Sequence, residues 1–172
     1  MMNEPGLKQT AVRPRVGIFF GSQSDRDVMK KAYDLLTELN IPSESYVLSA
    51  HRVPEQLHDT VHRLEKEGVE VFIAGAGLAA HLPGVVASIT LCPVIGVPLA
   101  GALEGLDALL SIVQMPKQIP VATVGINNAA NAAMLAAEII ATHDESVRST
   151  LQNYRRQMKE NFLKDNKGKV EF

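Results

Sequence analysis

Short hydrophobic runs recur along the chain, and longer stretches of mixed polarity separate them. Most of the runs are continuous rather than alternating, which is typical of strands buried on both faces of a parallel sheet. Five runs of strand length occur, at residues 16–20, 45–48, 69–74, 94–97 and 121–126. We therefore predict five strands, most of them in the interior of a sheet.

The stretches between the runs carry apolar residues at helical spacing. Two helices are predicted, at residues 27–39 and 54–67, because apolar side chains recur there every three or four positions. Ser24 is suited to cap the first helix, Pro54 to begin the second and Gly68 to end it. At 172 residues the chain is too short for a barrel of about 250 residues. The alternation predicts an α/β fold, a three-layer sandwich with a flavodoxin-like doubly wound parallel sheet.

An extra C-terminal helix is predicted at about residues 144–163. Its apolar side chains form a narrow stripe, made of Val147, Leu151, Tyr154, Met158 and Phe162. The stripe packs either on its own chain or on a neighbouring subunit, and its spacing leaves both open. If a neighbour covers it, deletion after Thr142 loosens the oligomer. We expect residues 1–14 to form a flexible N-terminal arm and residues 15–172 to form a single domain that includes this helix.

Composition narrows the class of function. Lys and Arg number 17 against 19 Asp and Glu, so the chain has no basic field for nucleic acid or an anionic membrane surface. The single cysteine, Cys92, cannot form an intramolecular disulfide and is expected to be buried and inert. Pro and Gly interrupt the apolar stretch at residues 82–110, so no membrane span is expected. We expect a small-molecule ligand and a cytoplasmic location.

The first strand ends in Gly21-Ser22-Gln23-Ser24-Asp25. Backbone amides and two hydroxyls lie there at the start of a helix, where partial positive charge favours a phosphate or a carboxylate. Asp25 would repel a phosphate but can accept hydrogen bonds from ribose hydroxyls, which indicates a sugar phosphate. A turn followed by a helix cap accounts equally well for this motif taken alone.

The second strand ends in Ser49-Ala50-His51-Arg52. This motif places a titratable imidazole beside a fixed cation, a combination suited to proton transfer on an anionic substrate. His58 and His62 fall within the second predicted helix, where a solvated helix face is the expected interpretation. His143 lies near a helix end, where it can complement the helix dipole.

The third strand leads into Gly75-Ala76-Gly77-Leu78-Ala79-Ala80-His81-Leu82-Pro83-Gly84. Its start matches the dinucleotide fingerprint G-x-G-x-x-A. That fingerprint, however, follows the first strand of a sheet and requires an acidic residue at the end of the next strand, and this segment follows the third strand. Small residues around His81 instead suggest backbone packed around a small planar group or a gas-sized fragment, with a purely structural tight turn as the alternative. Since parallel strands end at one edge, we expect all three motifs to converge on one pocket.

No metal site is predicted. We expect that none of the five histidines pairs at ligand spacing with carboxylates on a common helix, and one cysteine cannot build a thiolate site.

These three motifs are followed by Pro93-Val94-Ile95-Gly96-Val97-Pro98 and Ser111-Ile112-Val113-Gln114-Met115-Pro116. Together the five segments resemble the catalytic-subunit family of phosphoribosylaminoimidazole carboxylase, and Ser-Ala-His-Arg favours its class I, the mutase class of purine synthesis. The resemblance runs from about residue 16 to residue 141, in order and with compact spacing. Leu78 stands where the family usually has a second glycine, and Arg26 where an aromatic residue is common.

The resemblance implies a rearrangement that needs no cofactor and no metal. N5-carboxyaminoimidazole ribonucleotide loses CO2, the gas stays beside the ring, and C4 captures it. His51 is implied as the catalytic proton shuttle. Substrate-binding roles are implied for Ser22, Ser24, Asp25, Ser49, Arg52, Gly75, Ala76, Gly77, His81 and Leu82. The resemblance also implies a homo-octamer that shares active sites between subunits and packs the C-terminal helix on neighbours.

Two alternatives remain at this point. A second class of the same family carboxylates aminoimidazole ribonucleotide directly with CO2. A non-catalytic sugar-phosphate binding module would use the same pocket without turnover, and it would keep both affinity and biological activity when His51 is replaced by Asn.

Overall fold

The computed structural model describes residues 13–165, which contain one five-stranded sheet. The strands are β1 (Val16–Phe20), β2 (Ser43–Val47), β3 (Val71–Gly77), β4 (Val94–Leu99) and β5 (Ala122–Thr123). All neighbours pair in parallel, in the order β2-β1-β3-β4-β5. This flavodoxin-like order confirms the predicted fold class. The predicted N-terminal arm lies outside the described residues, apart from its last two positions.

Six α-helices fall within the described range. They are α1 (Arg26–Glu38), α2 (Pro54–Glu67), α3 (Leu82–Ile89), α4 (Leu106–Val113), α5 (Ala129–Ile140) and α6 (Glu145–Asp165). The predicted bounds of α2 are confirmed at both ends, because Pro54 begins it and Gly68, at a φ of 103°, ends it. No helix between residues 13 and 165 combines the length and the apolar composition that crossing a bilayer requires.

Neighbouring residues of the central strands point into two different cores. Ile18 of β1 packs with residues of α1 and α5 on one face, whereas Phe19 packs with residues of α2 and α3 on the other. Ile73 and Phe72 of β3 divide in the same way, and all four side chains are fully buried. Because both faces are covered, these strands are apolar at every position rather than at alternate ones.

Four of the five strands differ from their predicted bounds, β2 and β4 by one or two residues at an end, and β3 and β5 by three residues at one end. β3 continues through Gly75-Ala76-Gly77, so this glycine-rich segment is strand rather than loop. β5 shrinks from the predicted six residues to Ala122–Thr123. The reason lies in β4, where Pro98 has no N–H to continue the ladder, and the chain turns so that Asn127 N–H donates to the Pro98 carbonyl at 2.8 Å.

The strand order brings β1 and β3 together where the winding of the chain reverses. The chain moves from β1 outward to β2, returns past β1 to β3, and continues to β4 and β5. The helix after β1 packs into one core and the helix after β3 into the other. The connections therefore separate at the carboxyl ends of these strands, and a crevice at this point is where ligands bind in this fold class.

The first half of α6 packs on its own chain, whereas the second half is exposed. Asp144 Oδ1 accepts the N–H groups of Ser146 at 2.9 Å and Val147 at 3.2 Å. Val147 and Leu151 are buried in the core that α1 and α5 share. Every residue from 155 to 165 is exposed, so the predicted stripe is covered within this chain over its first half only.

Candidate active site

A cavity of about 770 Å³ opens at the carboxyl ends of β1, β3 and β4. Four segments line it: the chain after β1, the loop before α2, the chain from the end of β3 into α3, and the end of β4. The first three carry the motifs identified in the sequence, so these motifs do converge on one crevice. Every residue predicted for the site lines the cavity except Gly75.

The first segment is a short 3₁₀ turn, Gln23–Asp25, between β1 and α1. Ser22 Oγ accepts the N–H of Ser24 at 3.4 Å and lies 2.9 Å from the Ser24 hydroxyl, which is 3.3 Å from Asp25 Oδ1. The predicted cap is therefore wrong: Ser22 caps the 3₁₀ turn, and α1 begins at Arg26 with no side-chain cap. The two hydroxyls and the carboxylate form one polar group beside the start of a helix.

Arg52 connects the second segment to the first. Its Nη2 donates to the carbonyl oxygen of Gly21 at 2.6 Å. The Ser49 carbonyl accepts the N–H groups of Arg52 at 3.3 Å and Val53 at 3.0 Å, so the chain turns tightly before Pro54 begins α2. Because a guanidinium carries five N–H donors, Arg52 keeps donors for an anion in the cavity.

His51 and His81 are in direct contact. His51 Nε2 lies 2.7 Å from His81 Nδ1, with the ring centroids 4.9 Å apart and the planes at 79°. A hydrogen bond between two imidazole nitrogens needs a hydrogen on only one of them. When both rings are neutral, one of the two facing nitrogens donates and the other accepts. Both side chains are exposed to the cavity. This arrangement can deliver a proton to a bound ligand and recover it.

The third wall of the cavity is formed largely by backbone. A Cβ on Gly77, the last residue of β3, would lie 3.3 Å from the Leu99 carbonyl oxygen, so a side chain there would crowd β4. Leu78 and Ala80 follow with φ values of 56° and 43°, a conformation uncommon for residues with side chains. The resulting tight turn places His81 at the cavity and lets α3 begin at the next residue.

Gly75 is predicted to bind substrate, but it does not line the cavity. It lies inside β3, where an added Cβ would be 2.3 Å from Met29 Sδ of α1. The missing side chain therefore serves the packing of α1 on the sheet. From sequence alone, a glycine needed for packing looks the same as one needed for a ligand.

The end of β4 also belongs to the site, although the sequence analysis did not predict its residues as site residues. Leu99, Ala100 and Gly101 line the cavity. Asn127 fixes this segment, because its side-chain Oδ1 accepts the Ala100 N–H at 2.9 Å while its own N–H bonds to the Pro98 carbonyl. One signal was available, since a fourth parallel strand must end at the same edge as the other three.

The other histidines and the cysteine lie away from the cavity lining. His58 and His62 occupy neighbouring turns of α2, and the His62 ring contacts Glu65 of the same helix. His58, His62 and Glu65 therefore lie on α2 at spacings of four and three residues. Cys92 is half-buried, and burial raises the pKa of its thiol above the ordinary value, which agrees with an unreactive cysteine.

The family match covers all four segments of the site. The sequence profile of the family described as AIR carboxylase matches residues 15–161. The chain is 55% identical over 147 residues to N5-carboxyaminoimidazole ribonucleotide mutase of Pyrococcus abyssi, which covers 85% of this chain and 84% of that protein. A protein of the same name from Thermotoga maritima is 52% identical over 151 residues, or 87% of this chain and 88% of that protein.

Similarity extends to solved structures. The crystal structure of Treponema denticola PurE superposes with a TM-score of 0.81 at 27% sequence identity, over 89% of this chain and 96% of that one. The fold agrees with this match. The chain belongs to the AIR carboxylase family.

Proposed function

We propose that this protein is an N5-carboxyaminoimidazole ribonucleotide mutase, an isomerase of de novo purine synthesis. It moves a carboxyl group from N5 to C4 and yields 4-carboxy-5-aminoimidazole ribonucleotide. The observation that carries the proposal is the pair of imidazoles, His51 and His81, 2.7 Å apart in a cavity walled by serines, Asp25 and Arg52. Relatives that are 55% and 52% identical and bear the mutase name support it.

The first two segments bind the ribose phosphate. The phosphate is bound by Arg52 and by three hydroxyls, those of Ser22, Ser24 and Ser49. A cation and hydroxyl donors at the start of a helix complement a phosphate. Asp25 can only accept hydrogen bonds when ionised, so it binds the ribose hydroxyls. The bond from Arg52 to the Gly21 carbonyl, 2.6 Å long, supports a single ligand that spans both segments.

His51 acts first as a general acid and then as a general base. It donates a proton to N5 as the bond from N5 to the carboxyl carbon breaks, which releases CO2 and leaves aminoimidazole ribonucleotide. C4 then attacks the carbon of CO2, and His51 removes the proton from C4 as the ring regains its aromaticity. The imidazole returns to its starting state, so the reaction is an isomerisation with no net gain or loss of protons.

The third and fourth segments hold CO2 beside the ring. Ala76, Gly77 and Leu82 line the cavity next to His81, and Leu99 and Ala100 line it from β4. These groups are small or apolar, so they enclose a gas molecule without offering it a competing nucleophile. Exclusion of water matters here, because CO2 that escapes or is hydrated is a lost turnover.

The substrate decides between the mutase and a direct carboxylase. The purified protein is incubated with each ribonucleotide separately at low bicarbonate. We expect turnover of N5-carboxyaminoimidazole ribonucleotide without added bicarbonate. Turnover only of aminoimidazole ribonucleotide plus bicarbonate would contradict the mutase and assign direct carboxylation.

A second experiment separates an enzyme from a binding module. Replacing His51 by Asn is expected to lower kcat by about 10² to 10⁴-fold, the usual share of general acid–base catalysis, while nucleotide affinity changes little. The matched control is His143→Asn, which makes the same change outside the cavity and should leave kcat unaltered. Full biological activity of His51→Asn would contradict an enzymatic role.

We also propose that the protein works in the cytoplasm as a homo-oligomer, an octamer. Two surfaces support an assembly: the exposed residues 155–165 of α6, and the outer face of α4. That face exposes Leu106, Leu110 and Val113 by 53%, 46% and 50%. Apolar side chains grouped in this way on a surface mark interaction sites. The single cysteine and a phosphorylated substrate support the location.

Light scattering tests the assembly. The full chain should have a mass eight times its 18.6 kDa, and deletion after Thr142 should lower it. Because that deletion also removes Val147 and Leu151 from the core, Met158→Glu provides a second probe in the exposed half of α6 that leaves the core intact. A native mass for both variants would contradict a role of α6 in assembly.

A further inference from the structure

Two histidines on α2 point their ring nitrogens at each other outside the cavity. His58 and His62 are one helical turn apart and so share a face of the helix. Their Nε2 atoms are 3.2 Å apart, with ring centroids at 4.3 Å and planes at 81°. The side chains are 53% and 41% exposed, so ions in solution can reach them. We propose that His58 and His62 bind a divalent late transition-metal ion such as Cu²⁺ or Ni²⁺.

The separation of the two nitrogens suits a shared metal ion. Bonds from imidazole nitrogen to a metal ion of this kind are about 2.0–2.1 Å long. Two nitrogens 3.2 Å apart can both reach one ion at that length, with an angle at the metal of about 100°. This angle lies between those of square-planar or octahedral and tetrahedral coordination, and the rings reach it by turning so that both lone pairs meet at the ion instead of at each other.

Glu65 sets the tautomer of His62. Its Oε2 lies 3.0 Å from His62 Nδ1, and because a carboxylate can only accept, Nδ1 carries the hydrogen and Nε2 presents a lone pair. The Thr90 hydroxyl donates to the other carboxylate oxygen at 2.5 Å and holds Glu65 in place. A carboxylate bonded to the distal ring nitrogen is the usual device for orienting an imidazole that binds a metal.

His58 has a carboxylate nearby, but beyond hydrogen-bond distance. Asp59 Oδ1 lies 3.7 Å from His58 Nδ1. In the hydrogen bond between the two rings, His58 Nε2 must carry the hydrogen, since His62 Nε2 presents its lone pair. To bind the ion, His58 carries its hydrogen on Nδ1, the nitrogen nearer the Asp59 carboxylate, so that Nε2 presents a lone pair.

The pair supplies two protein ligands. Between residues 13 and 165, no group of three or more His, Cys, Asp and Glu side chains is arranged to hold a metal ion. Water therefore completes the coordination, and the affinity is well below that of a four-ligand structural site. Among divalent ions, imidazole nitrogen suits nickel, copper and zinc, and copper binds most tightly in the general order of stability. The proposed mutase reaction uses neither histidine.

Titration of the full-length protein without a histidine tag tests the site. Cu²⁺ or Ni²⁺ is added in a weakly coordinating buffer and followed by calorimetry, and Cu²⁺ is also followed by electron paramagnetic resonance. We expect one ion per chain at this site, with a spectrum that shows two nitrogen ligands. His58→Gln and His62→Gln should each weaken binding at least about tenfold, because each leaves a single imidazole. Glu65→Gln should weaken it about tenfold, as loss of an orienting carboxylate does.

Two control variants make the result specific. His143→Gln removes an exposed histidine elsewhere and should leave the affinity unchanged. His51→Asn breaks the imidazole pair of the cavity and should also leave this binding event in place. Equal affinity of the wild type, His58→Gln and His62→Gln would overturn the proposal, as would the absence of saturable binding up to millimolar ion. Loss of binding only in His51→Asn would overturn it as well.

Discussion

His81 Nδ1 lies 2.7 Å from His51 Nε2, so each imidazole determines which nitrogen of the other carries hydrogen. When both rings are neutral, one donates and the other accepts. When both are protonated, two N–H groups meet and the contact is lost. Proton transfer by His51 is therefore coupled to whether His81 donates or accepts in this contact.

His81→Phe should lower kcat of the proposed reaction by about 10- to 100-fold. A hydrogen bond to a charged partner contributes about 1.5–3 kcal/mol, and each 1.4 kcal/mol or so is tenfold in rate. His81→Asn should recover part of the loss, because its amide reaches the position of Nδ1. The pH profile of kcat should also change in His81→Phe. An unchanged profile at full kcat would show that His81 only fills space.

Arg52→Lys should raise KM about tenfold and leave kcat nearly unchanged. Lysine keeps the charge but cannot bond to the Gly21 carbonyl and to a phosphate with one planar group. The expected loss is one charge-assisted bond, about 1.5 kcal/mol. Arg26→Lys is the matched control, because Arg26 is exposed and does not line the cavity. A fall in kcat at constant KM would place Arg52 in the chemical step instead.

The sheet and the three motifs could be predicted because their signals are local. Ile18 and Phe19 are neighbours that pack into different cores. Because both faces of the strand are buried, its residues form a continuous apolar run in the sequence. Parallel strands then bring their carboxyl ends to one edge, so Ser22 and His51 come together without any knowledge of their contacts.

The parts that could not be predicted depend on residues far apart in the chain. Gly75 is small because Met29 packs on it. The end of β4 joins the site because Asn127 holds Ala100 from 27 positions away. Neither contact produces a periodic pattern or a motif in the sequence. His58 and His62 differ from these, because their spacing of four on a predicted helix was visible in the sequence.

Leu78→Gly should be more stable than Leu78→Ala by about 1 kcal/mol. Leu78 has a φ of 56°, where a residue with a Cβ is strained by about 1–2 kcal/mol, and glycine removes that strain at some cost in unfolded-state entropy. Both variants lose the Leu78 side chain beyond Cβ, and Leu78 is 59% exposed, so this loss costs both about equally little burial. Urea denaturation measures the difference. Equal stability of the pair would show that the surrounding chain relieves the strain.

Asp144→Asn should reduce stability at neutral pH, and the difference from the wild type should narrow in acid. The Ser146 hydroxyl donates to Asp144 Oδ1 at 2.6 Å, and Arg15 donates to Oδ2 at 2.6 Å. These bonds, together with that from the Val147 N–H, lower the pKa of Asp144 below its ordinary 3.8. Asparagine caps a helix about as well as aspartate, so the variant isolates the charge.

The pH dependence of this stability difference follows from the lowered pKa of Asp144. A carboxylate with a depressed pKa stabilises the folded state fully above the unfolded value, here 3.8, and loses this as pH falls toward the folded value. Thermal melts at pH 7 and pH 3 should show a larger gap between wild type and Asp144→Asn at pH 7. Asp34→Asn removes the exposed pair with Lys30 and should change the melt little at either pH. An equal gap for Asp144→Asn at both values would mean that the charge contributes nothing.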